Sequence, residues 1–115
     1  MLIMEEIKWK DFEKIDLRVG SILKAESFPE ARKPAYKLKI NFGEQLGVMN
    51  SSAQITRRYT TQELIGRQVI AVVNFPVKRI AGFKSECLVL GVLGEDEDVV
   101  LLSPGQKVKD GLKIG

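Results

Sequence analysis

Alternation of apolar and polar residues is the dominant pattern along this chain, and it predicts β-strands. Residues 36–43 alternate cleanly, with apolar side chains at 36, 38, 40 and 42 and with Lys37, Lys39 and Asn41 between them. Because successive side chains of a strand point to opposite faces, this segment predicts a half-buried strand with a polar outer face. Further strands are predicted at residues 15–25, 46–50, 68–75, 86–93 and 99–103.

The first of these strands is long and carries a glycine. Within residues 15–25 the odd positions are mostly apolar, which predicts that they face the core. Gly20 lies in the middle, and a glycine inside a strand is typical of a bend or bulge. We therefore expect a strongly curled strand, as a small barrel requires.

A short helix is predicted between the third and fourth strands. Thr60 and Glu63 have the spacing of a capping box, Leu64 and Ile65 follow, and Gly66 is a typical helix C-terminus. Five strands with a helix at this place close without exposed edges into an all-β barrel of the oligonucleotide/oligosaccharide-binding (OB) type. The pattern alone fits an SH3-like barrel as well.

Two of the predicted strands are apolar on both faces. Residues 69–73 and 87–90 contain few polar side chains, yet a small barrel buries only one face of a strand. Either the terminal segments cover the other face within one chain or a second subunit does. We expect a homodimer with the terminal extensions, residues 1–12 and about 104–115, in its interface; a monomer covered by its own extensions is the alternative.

Composition excludes several classes of enzyme. The 115 residues suit one domain, and they include no histidine and one cysteine. Ser-His-Asp and Cys-His catalysis, His-ligated zinc and an internal disulfide are therefore excluded. We predict a single domain over residues 1–115 that is not an enzyme and binds no cofactor or metal. Without a signal-peptide core or a long apolar run, we expect no membrane insertion and a cytoplasmic location.

Charge is distributed unevenly. The net charge is +3, but residues 34–94 hold eight basic and three acidic side chains, a net charge of +5. Residues 95–98 are four consecutive acids, which we interpret as the solvated tip of a hairpin. The basic middle of the chain is thus the candidate surface for an anionic partner.

Three strings of residues occur in a characteristic order: DFEKIDLRVG at 11–20, SSAQI at 51–55 and NFPVKRIAGFKSE at 74–86. Together they resemble the tRNA-binding domain family, which is found at the C-terminus of bacterial methionyl-tRNA synthetases and as stand-alone proteins. The SSAQI and IAGFKSE strings are specifically similar to the CsaA-like, export-related chaperones of that family. The resemblance runs from about residue 11 to residue 115.

The resemblance implies an OB barrel, a homodimer and tRNA binding without catalysis. For CsaA-like members it also implies binding of unfolded or precursor polypeptides during protein export, with the export machinery as a further partner. We predict a tRNA-binding protein with chaperone-like activity. The alternative is a polypeptide-binding chaperone in which RNA binding is weak or vestigial.

The candidate site residues come from two sources. The resemblance implies RNA-binding roles for Lys33, Ser85 and Leu88, and Glu86 lies in the same motif. The strand pattern and the local charge add cations and polar groups around the expected barrel opening: Lys37, Lys39, Asn41, Gln54, Asn74, Lys78, Arg79 and Lys84. The predicted peptide site is apolar and consists of Phe75, Val77, Phe83 and Leu88.

A few other residues receive structural interpretations. Arg18 is expected to pair with Asp16 or another acid, and Cys87 is expected to be an inert strand residue. Arg57 and Arg58 are expected to flank the helix, with contact to phosphate as the alternative.

Overall fold

The computed structural model describes residues 2–115 and contains one sheet of five antiparallel strands and two small hairpins. The large sheet has the strand order β3-β2-β1-β4-β7, and the hairpins are β5–β6 and β8–β9. This nearly closed barrel, with a short helix between its third and fourth strands, confirms the predicted OB-like fold. The elements in chain order are α1 (Trp9–Glu13), β1 (Leu17–Ser27), β2 (Tyr36–Asn41), α2 (Gly43–Leu46), β3 (Val48–Ala53), α3 (Thr61–Leu64), β4 (Gln68–Val72), β5 (Lys78–Ile80), β6 (Phe83–Ser85), β7 (Leu88–Val89), β8 (Gly91–Leu93) and β9 (Val99–Leu101).

Two predicted strands differ from the observed ones. Residues 43–46 form α2, so the third strand begins at Val48 and not at residue 46. The segment predicted as one strand over residues 86–93 is divided at Leu90 into β7 and β8. There the Leu90 N–H donates to the Ile70 carbonyl at 2.9 Å, while the Leu90 carbonyl accepts from the Leu102 N–H at 3.1 Å. The chain thus passes at this residue from the barrel to the second hairpin.

The first strand curls through a bulge that the sequence pattern places wrongly. Pairing with β2 shifts register between Ile22 and Lys24, and this shift buries Ile22 in the core and leaves Leu23 50% exposed. Gly20 is not part of this bulge. Its missing side chain leaves room for the core, since a Cβ there would lie 2.6 Å from Ile40 Cγ2 and 2.7 Å from the Phe42 ring. Gly20 and Ile22 therefore face the core side chains, contrary to the prediction, although Val19 at an odd position is buried as well.

The barrel closes between β3 and the segment that leads into β7. The Glu86 N–H donates to the Asn50 carbonyl at 2.8 Å, and the Asn50 N–H donates to Glu86 Oε1 at 2.9 Å. Next to them the Ser51 hydroxyl, which is fully buried, donates to the Cys87 carbonyl at 2.8 Å. Side chains thus provide hydrogen bonds at a seam where the strand ladder is incomplete.

The C-terminal segment packs on its own barrel. The Val19 N–H donates to the Leu112 carbonyl at 3.0 Å, and the Gly111 and Ile114 N–H groups donate to the Val19 and Leu17 carbonyls at 2.7 and 2.8 Å. These bonds lie along the first half of β1, before its pairing with β2 begins at Ser21. Part of the predicted C-terminal extension therefore completes the sheet within one chain.

The helices are short connections. The predicted capping box of α3 is confirmed, because Thr60 Oγ1 accepts from the Glu63 N–H at 3.2 Å and Glu63 Oε1 accepts from the Thr60 N–H at 2.8 Å. Gly66, which follows the helix, has a φ of +85°, which favours glycine. None of the helices in residues 2–115 is long and apolar enough to cross a membrane.

Candidate nucleic-acid interface

The outer face of β2 is polar, as the alternation predicts. Leu38 and Ile40 are buried in the core, while Lys37, Lys39 and Asn41 lie on the opposite face. Within residues 2–115, neither lysine has a carboxylate within 4.0 Å. This strand therefore presents a lysine row, Lys37 and Lys39 with Asn41, that forms no ion pair within 4.0 Å in the described residues, although Glu26 of β1 lies opposite Lys37 in the register.

The neighbouring strands add groups that the sequence pattern did not single out. The register places Lys39 opposite Lys24 of β1 on one side and opposite Asn50 of β3 on the other. Lys24 Nζ lies 3.9 Å from Glu26 Oε2 at an exposed position. Because the bulge in β1 sets this register, Lys24 could not be assigned to the lysine row from the alternation alone.

The β5–β6 hairpin carries a second pair of cations. Arg79 and Lys84 are directly opposite each other across its two strands, and within residues 2–115 neither lies within 4.0 Å of a carboxylate. The turn residues Ala81 and Gly82 both have positive φ, as in the tight turns that favour hairpins. Like charges opposite each other are unfavourable without an anion, so this pair favours an anionic ligand.

An aromatic pair joins this hairpin to β2. The Phe83 ring centroid lies 5.4 Å from that of Phe28, which is 3% exposed in the loop of residues 28–35. The Lys37 ammonium lies 4.9 Å from the Phe28 centroid and 5.7 Å from the Phe83 centroid. This cation–π contact holds Lys37 next to the hairpin, so the two groups of cations belong to one surface.

Two residues of the resemblance motif have structural partners. Ser85 is buried, and its hydroxyl oxygen accepts from the Ser52 N–H at 3.1 Å. Glu86 bonds to Asn50 at the barrel seam described above. Leu88 pairs with Val72 of β4 and is 48% exposed. Of Ser85, Glu86 and Leu88, Leu88 therefore has the most accessible side chain.

Asn74 and Gln54, two of the predicted polar RNA contacts, have different environments. Asn74 Oδ1 accepts from the Asp16 N–H at 3.0 Å, and Asn74 Nδ2 donates to the Lys14 carbonyl at 2.7 Å. Its amide therefore holds the start of β1 in place. Gln54 is exposed and lines a cleft of about 240 Å³ together with Arg57.

The acidic block forms the turn between β8 and β9, and three basic residues contact it. Lys33 Nζ lies 3.1 Å from Glu97 Oε1, Arg57 Nη1 donates to the Asp96 carbonyl at 2.7 Å, and Arg58 Nη2 donates to Asp98 Oδ2 at 2.8 Å. The hydrogen bonds from Arg58 hold the pKa of Asp98 below its usual value. The prediction of a solvated hairpin tip is confirmed, since residues 95–97 are exposed between β8 and β9, and the contacts with the three basic residues are an addition that the sequence pattern did not show.

The four residues predicted to bind peptide do not all have the same surroundings. Phe75 and Val77 are 55% and 53% exposed in the connection after β4. Leu88 lies on β7, and Phe83 packs against Phe28 beneath Lys37. Phe83 thus belongs to the cationic surface, while Phe75, Val77 and Leu88 are the exposed apolar groups of this set.

The structural interpretations of Arg18 and Cys87 are confirmed. Arg18 Nε donates to Asp16 Oδ1 at 2.6 Å, and this bond lowers the pKa of Asp16 and raises that of Arg18. Burial raises the pKa of the Cys87 thiol to about 12, so the sulfur remains a neutral thiol at physiological pH. Neither residue is available as a reactive group.

Comparison with solved structures shows close similarity to two chaperones. The chaperone CsaA from Bacillus anthracis str. Ames has 54% sequence identity and a TM-score of 0.92, covering 96% of this chain and 100% of that one. The CsaA chaperone protein from Picrophilus torridus has 55% identity and a TM-score of 0.89 at the same coverage. A MetRS related protein from Pyrococcus horikoshii has 28% identity and a TM-score of 0.85, covering 97% of this chain and 100% of that one.

Sequence comparison leads to the same group of proteins. Methionine–tRNA ligase from Pyrococcus horikoshii is 35% identical over 111 residues, which are 96% of this chain and 15% of that protein. The chain thus spans less than a sixth of the length of this curated relative. The family model described as "Putative tRNA binding domain" matches residues 17–113. The chain therefore belongs to the tRNA-binding domain family.

Proposed function

We propose that this protein binds tRNA without catalysis, through the surface formed by the outer face of β2, the β5–β6 hairpin and the loop of residues 28–35. The observation that carries the proposal is the placement of Lys37 over Phe28 and Phe83, which unites the lysine row of β2 with Arg79 and Lys84. Membership in the tRNA-binding domain family supports it independently.

The chemistry of this surface suits a structured RNA. Lysines on flexible side chains bind backbone phosphates, and exposed amides and hydroxyls contact riboses and base edges. Lys33, Lys39, Lys78 and Lys84 are all exposed, as is Arg79. Affinity would then come mainly from charge and shape, without a reaction at the RNA.

A homodimer is part of the proposal. The N-terminal segment exposes several large apolar side chains, among them Ile7 and Trp9, each 69% exposed. Contiguous apolar surface of this kind is typical of an interface, and a second copy of the chain is its proposed partner. Two barrels in one particle would present two tRNA surfaces and increase avidity. Deletion of residues 1–8 should convert the dimer to a monomer in analytical ultracentrifugation; a truncated protein that stays dimeric would contradict this.

The proposed RNA site is tested by titration with unfractionated tRNA at about 50 and 200 mM salt, because phosphate contacts make affinity fall steeply over this range. Lys39→Ala and Arg79→Ala should each weaken binding and reduce the slope of log K against log salt by about one. Lys107→Ala removes the same charge from the exposed C-terminal segment and is the matched control. A flat salt response of the unmodified protein would contradict tRNA binding through this surface.

A second candidate function is polypeptide binding, as in a cytoplasmic chaperone of protein export. The exposed Phe75 and Val77 favour it, and so do the two CsaA relatives that are called chaperones. Binding of an unfolded peptide to apolar groups should be almost insensitive to salt. Val77→Ser should weaken peptide binding and leave tRNA binding unchanged; unchanged peptide affinity would remove this residue from the proposed peptide site.

A further inference from the structure

One of the proposed RNA contacts is already paired with an anion in the free protein. Lys33 lies in the loop between β1 and β2, and its ammonium is 3.1 Å from the carboxylate of Glu97 in the turn between β8 and β9. The two side chains are 62% and 53% exposed, so both are accessible to solvent and to a ligand. The charge of Lys33 is therefore compensated before any RNA binds.

Further contacts anchor the same turn. Arg57 bonds to the carbonyl of Asp96 and Arg58 to the carboxylate of Asp98. Asp96 and Glu97 have φ values of +53° and +62°, a region that residues other than glycine seldom occupy. Two such residues in succession need support from their surroundings, and the arginines supply it. Glu97 lies between the two anchored residues, and its carboxylate contacts Lys33 of the neighbouring loop.

The turn also borders a second residue of the proposed RNA site. Asp96 and Glu97 line the 240 Å³ cleft together with Pro34, Gln54 and Arg57. Gln54 is a predicted polar contact to RNA, and Pro34 follows Lys33 in the chain. An RNA strand that reaches Lys33 and Gln54 would therefore meet the carboxylates of the turn.

We propose that the carboxylate of Glu97 occupies Lys33 in the free protein and that an RNA phosphate replaces it on binding. The inference rests on the proposed tRNA function and adds a regulatory element to it. Carboxylate and phosphate form the same kind of charge-assisted bond with an ammonium group, and their like charges oppose simultaneous binding. The acidic turn thus lowers the affinity for RNA, and an RNA must make enough contacts elsewhere to displace it.

The test is a double-mutant cycle with tRNA as the ligand. Glu97→Gln should bind tRNA about two- to fivefold more tightly at low salt, the range expected for one exposed ion pair. The slope of log K against log salt should become steeper, since Lys33 then neutralises an RNA phosphate without freeing a carboxylate that takes up a cation from solution. In the Lys33→Ala background, Glu97→Gln should have no further effect. Glu13→Gln, which removes an equal charge from an exposed position on α1, is the matched control.

Each outcome of this experiment bears either on the inference or on the proposed function. Unchanged affinity of Glu97→Gln overturns the inference, and so does a gain that persists without Lys33 or that Glu13→Gln reproduces, because such a gain reflects net charge alone. The proposed function itself is tested by the tRNA affinity of the unmodified protein. If that protein shows no salt-dependent affinity for tRNA, the function fails and the inference fails with it; if it does, the variants test the turn separately.

Discussion

The ammonium of Lys37 and the ring of Phe28 lie 4.9 Å apart, although one residue projects from β2 and the other belongs to the loop before it. Phe83 reaches the same ring from the β5–β6 hairpin. The contact determines the position of the flexible Lys37 ammonium and brings β2, the loop before it and the β5–β6 hairpin into one surface. It is the structural basis for treating β2 and the hairpin as one proposed RNA site.

Replacing Phe83 tests the importance of this contact. Phe83→Leu keeps an apolar side chain against Phe28 but removes an aromatic face from Lys37. We expect tRNA affinity to fall about two- to fivefold, the range of an exposed cation–π contact, with an unchanged salt slope because no cation is lost. Phe75→Leu, at an exposed aromatic residue after β4, is the control. Equal effects of the two variants on tRNA binding would contradict a special role for Phe83.

Gly20 is expected to be essential for stability. An added Cβ would lie 2.6–2.7 Å from the side chains of Ile40 and Phe42, which are both buried. Gly20→Ala should lower the free energy of unfolding by about 1–3 kcal/mol, as is usual for an overpacked core. Gly105→Ala, where no atom lies within 4 Å of the added Cβ, should change it little. Urea unfolding of both variants measures the difference, and equal stabilities would show that the core relaxes around the methyl group.

The Asp16–Arg18 pair predicts a dependence of stability on pH. The hydrogen bond from Arg18 lowers the pKa of Asp16 from its usual 3.8 in the folded protein, so the folded state binds this proton less readily than the unfolded state. The pair therefore stabilises the fold above about pH 4, and the contribution is lost as the pH falls through the lowered pKa. Asp16→Asn should reduce stability at pH 7 and have a smaller effect at pH 3, as measured by urea unfolding. An equal loss at both pH values would assign the effect to something other than ionisation.

Cys87 should be unreactive in the folded protein. Its thiol is buried and its pKa is raised to about 12, so little thiolate exists at pH 8. A thiol-specific reagent at that pH should react at least tenfold faster in concentrated urea than in buffer. Rapid reaction of the native protein would mean that the strand segment around Cys87 opens readily.

The main elements of the fold follow from local sequence. The alternation over residues 36–43 predicts the faces of β2, and the spacing of Thr60 and Glu63 predicts the start of α3. The pairing of Arg18 with Asp16 likewise connects residues two positions apart. Such features depend on backbone geometry within one element, and an amino-acid pattern reports that geometry directly.

Tertiary structure decided the register and the composition of the site. The bulge at residues 22–24 buries Ile22 and places Lys24 opposite Lys39, and the strand pattern shows neither. The pairing of Lys33 with Glu97 joins residues far apart in the chain. Side chains from distant segments meet only after the barrel has closed, and the packing that closes it selects their neighbours. The sequence by itself therefore determined a small barrel with a polar strand face, and its motifs indicated the OB type, while the folded chain determined which charges are free and which are already paired.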